Sequence, residues 1–167
     1  MAMASADGEL RKVVRRILSD IRVELGDEFD QNFERQGFFA EKWQRRKSPI
    51  RGDGHILVAS GDLRKSIRSR SDESSITFYS DLAYAGIHNE GGEIKVTARM
   101  KRFFWHKYHE TKDEFWKAMA LMKEGKTIKI PRRQFLGMAP EVETEVRKII
   151  EDNLTQYFEH DFNINTK

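Results

Sequence analysis

The residues of this chain best placed to do chemistry near neutral pH are its histidines, and three other groups of residue types can be weighed beside them. His106, His109, Glu110 and Asp113 lie within one or two helical turns of one another. Side chains three or four apart share a helix face, so metal ligation or acid–base chemistry is what such a cluster would offer. A zinc hydrolase helix carries two histidines four apart with glutamate after the first. Here the spacing is three, and Lys107 follows His106. The cluster therefore reads as a polar helix face. His88 follows an apolar turn and precedes a glycine pair, but neither a serine nor a carboxylate stands in a nucleophile context around it. It reads as a polar hinge beside a sheet. Asp62, in Ser60-Gly61-Asp62-Leu63, suits a helix or turn cap better than a general base. Arg51-Gly52-Asp53-Gly54 and Glu90-Gly91-Gly92 fit neither the P-loop nor the dinucleotide fingerprint. With no cysteine, thiolate chemistry and disulfides are excluded. Catalytic residues, cofactors and metals are all expected to be none.

Basic and aromatic residues also mix in two places, around Trp43 within Lys42 to Arg51 and in Met100-Lys101-Arg102-Phe103-Phe104-Trp105. Such mixtures grip phosphate and stack bases. The aromatics recur at helical steps, which favours packing, and the net charge is only +3. A DNA-binding module is thus the alternative function, with nucleic acid a secondary partner. That small net charge is a difference between large local ones. Lys42 to Arg51 holds five bases and no acid, and Ala98 to Arg133 holds eleven bases and four acids. Glu141 to Asp161 holds seven acids and two bases. Opposite blocks on one chain can steer copies of that chain together.

The elements that must carry these residues follow from periodicity. Leu10, Val13, Val14, Ile17, Leu18, Ile21, Leu25, Phe29 and Phe33 step by three and four, which predicts a helix over 8–36 ended by Gly37. Gly26 is a place where that helix can bend. Residues 38–61 read as a loop pinned by Phe38, Phe39 and Trp43, with a short strand or helical turn at Ile56 to Ala59. Arg64 to Arg70 and Ser75 to Ser80 predict a hairpin, Leu82 to His88 a helical turn, and Glu93 to Thr97 and Thr127 to Ile130 two more strands. Met100 to Glu124 is helical, with a break at the Thr111/Glu114 capping box. Pro140 opens the last helix, whose stripe is Val142, Val146, Ile149, Ile150, Leu154, Tyr157 and Phe158. Asn163 to Lys167 is a polar tail. The expected class is α+β, a small mostly antiparallel sheet packed by long N- and C-terminal helices with a helical insertion at about 100–124.

At 167 residues, with 38% hydrophobic and 34% charged, the chain has material for one domain over 1–167. Its parts are the helix at 8–36, a sheet region at 56–97 and 126–137, the insertion at 100–124 and the helix at 140–160. Its 11 Phe, 3 Trp and 4 Tyr exclude a disordered polyelectrolyte, and its longest apolar runs fall far short of a membrane span. Met1 to Gly8 lacks an apolar signal core, so a frayed start and a cytosolic setting are expected.

Three strings in order give the chain a resemblance. Leu57-Val58-Ala59-Ser60-Gly61-Asp62-Leu63-Arg64-Lys65-Ser66-Ile67 fits L-x-x-S/T-G-x-L-x-x-S-I. Tyr84-Ala85-Gly86-Ile87-His88-Asn89-Glu90-Gly91 fits Y-A-x-x-H-x-x-G, and Pro131 to Gly137 falls on P-x-R-x-F/W-L-G. With the long first helix and the Trp43 loop, this order resembles the phage virion morphogenesis family, the tail-completion proteins of Mu-like and P2-like contractile-tailed phages. The resemblance covers roughly residues 29–160; the Met100–Glu124 stretch is not expected throughout the family, and which of Arg132 and Arg133 fills the arginine position stays open. It implies a non-enzymatic structural role in tail completion or head–tail joining, as a ring-forming subunit. The partners implied are copies of itself and other tail or connector proteins, first in the bacterial host cytoplasm and then in the virion, without a membrane. The positions carried over are Trp43, Gly61, Leu63, Ser66, Tyr84, His88, Gly91, Pro131, Arg132, Arg133, Phe135, Leu136 and Gly137. Gly91 would serve a tight backbone, Pro131 and Phe135 a packed corner, and Arg132 or Arg133 a carboxylate at a subunit contact.

Overall fold

A computed structural model describes residues 2–45 and 55–162, with side chains for 8–45 and 55–159. Arg46, Lys47, Pro49, Arg51, Gly52, Asp53, Gly54 and the Asn163–Lys167 tail lie outside the described residues.

Helix α1 runs unbroken over Ala2–Arg35, about 50 Å at 1.5 Å per residue. Val13, Ile21, Leu25, Phe29 and Phe33 are buried along it, and Ile17 packs at their edge. These positions are spaced by fours, so their side chains stack on one stripe. Leu10 begins the predicted stripe but is 55% exposed, one turn outside the packed face. Gln36, not Gly37, takes the left-handed conformation that ends the helix, at φ 55°. Gly37 has a different job. It opens β1 (Gly37–Phe38), which pairs antiparallel with β2 (Glu41–Lys42), and a Cβ there would sit 2.5 Å from the Glu41 carbonyl. The stretch expected to be irregular after residue 37 therefore starts with a small ladder.

Helix α2 (Asp62–Lys65) begins at Gly61, whose φ of 76° turns the chain. Asp62 is the first helical residue and makes no side-chain cap, contrary to the role expected of it. Arg64 and Lys65, expected in a strand, belong to this helix. The hairpin follows as β3 (Ile67–Ser71) and β4 (Ile76–Ser80), in register from Ile67↔Ser80 to Ser71↔Ile76. Asp72 shapes its turn. One carboxylate oxygen accepts from the Ser74 and Ser75 amides at 2.8 and 2.7 Å, the other from the Ser75 hydroxyl at 2.6 Å. These donors lower the Asp72 pKa to about 2. Arg64 ties α2 to α1 through a fork on Asp30, with Nε–Oδ1 at 2.6 Å, and a further bond to Glu34. That hydrogen bond and charge hold the Asp30 carboxyl below its usual range.

Helix α3 (Ala85–Glu90) is shifted toward the C-terminus from the expected turn and takes in Asn89 and Glu90. Strands β5 (Gly92–Lys95) and β6 (Thr127–Ile130) then pair antiparallel from Gly92↔Ile130 to Lys95↔Thr127. Between them stand α4 (Ala98–Thr111) and α5 (Glu114–Ala120). The break falls where expected, with a different cap. Asp113 accepts the Phe115 amide at 2.9 Å, while Thr111 donates back to the Lys107 carbonyl at 2.8 Å. Helix α6 (Pro140–Gln156) starts on Pro140 and continues as a π-helical segment, Tyr157–Phe162. It packs against α1, Val142 and Ile149 are buried in the common core, and Asn153 donates to Asp20 at 2.9 Å. Phe158, placed on the stripe from sequence, is 57% exposed.

The class is α+β and every strand pair is antiparallel, divided over three two-stranded ladders among the described residues. The core gathers α1, Trp43, Ile56, Leu63, Ala85, Phe135, Leu136 and α6.

Candidate functional site

Five of the carried-over positions, Trp43, Leu63, Arg133, Phe135 and Leu136, are buried around one joint at the end of α1. Phe33 is fully buried, with the Trp43 ring edge-on at 5.5 Å and the Phe135 ring tilted at 5.5 Å. Trp43 Nε1 donates to the Gln134 carbonyl at 2.7 Å, so the indole is both packed and satisfied. Arg133 is buried, and its Nε and a terminal nitrogen donate to the Gln44 carbonyl at 3.2 and 3.1 Å. Its own amide donates to the His88 carbonyl at 2.8 Å. Arg132 is exposed, with its guanidinium bonded to the Gln134 side chain. Of the two arginines, Arg133 points into the joint and Arg132 stays outside.

Asn89 closes the joint from α3. Its Oδ1 accepts the amides of Phe135 and Leu136 at 2.9 and 3.0 Å. Asn32 does the same from α1, donating to the Phe135 carbonyl at 3.3 Å and accepting from the Phe39 amide at 3.0 Å. Gln36 clasps Ile56 in both directions, accepting its amide and donating to its carbonyl at 3.2 Å. These amides mimic strand pairing for backbone that belongs to no ladder, and buried backbone without such partners is costly. Asn89→Ala leaves two buried donors without an acceptor. It is expected to cost about 2–4 kcal/mol, read from the urea midpoint, with Asn89→Asp losing less because an acceptor remains.

Gly91 and Gly137 take φ of 75° and 127° on either side of this joint, and Pro131 starts the segment that crosses it. Leu63 is buried in the same core, while Ser66 lies farther out, donating to the Leu63 carbonyl at 2.7 Å and 2.6 Å from the Ser80 hydroxyl. A groove of about 1020 Å³ opens beside the joint, lined by Ile56, Leu63, Tyr84, His88, Ile130 and Arg133. His88 is half-buried, with Nδ1 buried and without a hydrogen bond. No hydrogen bond joins it to a serine or a carboxylate among the described residues, so it has no nucleophile–base geometry. On α4, His106 lies 3.3 Å from Glu110, and His109 stacks on Trp105 at 6.2 Å. Among the described residues, three His, Asp or Glu side chains nowhere gather as a metal cluster. Nor is any helix among them long and apolar enough to cross a membrane.

A match to the phage virion morphogenesis family runs over residues 3–155. The chain belongs to that family. No curated protein and no solved structure matches it. In this member of the virion morphogenesis family, Trp43, Arg133, Phe135 and Leu136 hold separate segments together. Asn32, Gln36 and Asn89 share that work and were not singled out from sequence. Asn32 did leave a signal, a polar side chain between Phe29 and Phe33 on the apolar face of a helix. Nothing comparable marks Gln36.

His88 gives this family member a pH dependence. Burial first, then the charge of Arg133, lowers its pKa from 6.5. As pH falls the unfolded chain therefore takes up this proton before the folded one. Stability should drop between pH 6.5 and the lower folded value, and be fully present above that window. Urea midpoints from roughly pH 7.5 to about 5 will show this slope, and His88→Gln should remove its share of it.

Proposed function

We propose that the chain is a structural, non-enzymatic subunit that completes the tail of a tailed phage or prophage, or joins tail to head. It acts as a ring of copies of itself, in contact with other tail or connector proteins, and passes from the host cytoplasm into the virion. The observation that carries this is the family match over residues 3–155, nearly the whole chain. Two features support it. The Arg133, Asn89 and Trp43 polar groups are consumed by internal backbone contacts, which suits a scaffold. A closed ring also needs two different surfaces that fit each other, and this chain carries blocks of opposite charge. Quantitative mass spectrometry of purified particles tests the proposal. Several copies per particle are expected; a single copy, or none, contradicts the ring.

A further inference from the structure

Residues 92–130 leave the main body on one pair of strands and return on it. The ladder ends at Lys95↔Thr127 and is prolonged by Val96 bonding to Lys126 at 2.9 Å and Gly125 to Val96 at 2.8 Å. Beyond it, α4 and α5 pack chiefly on each other. Val96, Phe104 and Ala120 are buried there, and none of them belongs to the main core. Trp116 stacks on Phe104 at 5.9 Å and meets Phe103 edge-on at 6.0 Å. The insertion is thus an arm with its own small core and an outer surface on α4.

That surface has a pattern. Arg99, Arg102, Phe103 and His106 are exposed at i, i+3, i+4 and i+7, one face of α4, and Phe103 is 49% exposed. Arg99, Lys101 and Arg102 have no ion-pair partner among the described residues, whereas Lys107, Lys117 and Lys129 each have one. Helix α6 is the converse. Glu141, Glu143, Glu151 and Asp152 are exposed and unpaired among the described residues, and Glu145 alone on that helix has a cation, Lys148 at 3.7 Å.

The geometry points to a head-to-tail contact between two copies of this chain, in which the Arg99–Arg102–Phe103 face of one arm docks on the carboxylates of α6 in the next. The charges give register and speed of encounter, and Phe103 contributes apolar surface at their centre. The two surfaces differ, as a ring contact requires, so this deepens the ring proposal and rests on it.

Sedimentation velocity on the full chain, over a range of concentration at low and high salt, tests it with two charge reversals. These are Arg99→Glu with Arg102→Glu, and Glu151→Lys with Asp152→Lys. All four side chains are exposed, and circular dichroism confirms that each variant is folded. Each variant alone should associate at least roughly tenfold more weakly than the wild type. An equimolar mixture should recover association, because every arm again meets a helix of opposite charge. Variants that associate like the wild type, or a mixture that does not recover, overturn the arm contact and leave the ring proposal standing. A wild type that stays monomeric even at high concentration overturns both. Loss of duplex DNA binding by the arm variant, with self-association unchanged, assigns the arm face to nucleic acid instead.

Discussion

Gly91→Val is expected to destabilise the protein by about 3–5 kcal/mol, from backbone strain and displacement of a paired strand together. Gly91 has φ 75° and ψ −179°, a region open to glycine and strained for any residue with a Cβ. A Cβ there would lie 2.7 Å from the Arg132 nitrogen and 3.1 Å from both Arg132 Cα and the Ile130 carbonyl oxygen. All three are backbone atoms, so no side chain can swing aside. Nor is that backbone free to move, because Gly92 pairs with Ile130 and the Arg133 amide is bonded to the His88 carbonyl. Even alanine should lose a large part of that stability. Gly86, five residues earlier in α3, is the control: nothing lies within 4 Å of its Cβ position. Gly86→Ala should be stabilising, by up to about 1 kcal/mol, through helix propensity. Urea denaturation of the three variants separates a general intolerance of glycine replacement from the specific contact at Gly91.

Phe33→Ala should cost about 3–5 kcal/mol, the range for an aromatic removed from a packed core. Its ring is fully buried between Trp43 and Phe135, so the cavity would open where α1, the Trp43 segment and the 131–137 segment meet. The loss is therefore not confined to apolar contact. Without that ring, the Trp43 bond to Gln134 and the Asn32 bond to Phe135 lose the packing that fixes their geometry. Phe33→Leu, which refills much of the volume, should recover more than half of the loss. Thermal melts read the difference directly, since a domain holds only about 5–15 kcal/mol in total.

Much of the fold was legible because helices and strands leave a periodic trace. The four-residue steps of α1, the strand at Thr127 to Ile130 and Pro140 at the start of α6 located those elements, although α1 begins at Ala2, where a frayed start was expected. The ends were harder. Gln36 takes the helix-ending conformation beside a glycine, and its side chain is held by Ile56, twenty residues on. Asn89 accepts from residues 46 and 47 positions away, and Asn32 donates to one 103 positions away. An amide oxygen aimed at distant backbone has no spacing rule, so periodicity could not find it. Motif strings included Trp43, Arg133, Phe135 and Leu136 of the joint without saying what they contact. The Arg132/Arg133 ambiguity is of the same kind, since burial alone separates two adjacent arginines.

Charge blocks were legible as well, but only as sums. Among the described residues, the structure divides the 98–133 block into paired and unpaired members. Lys107, Lys117 and Lys129 are neutralised locally, and what remains on α4 is a short stripe around Phe103. Surface ion pairs of that local kind contribute little to stability, so the unpaired remainder is the part available to a neighbour.

The role in virion assembly is tested most directly by deleting the gene from its parent phage and imaging the induced lysate by electron microscopy. Heads and tails are expected to accumulate apart, or tails to be left incomplete, with infectivity restored when the intact chain is supplied in trans. Joined, infectious particles at normal yield from the deletion would contradict that role.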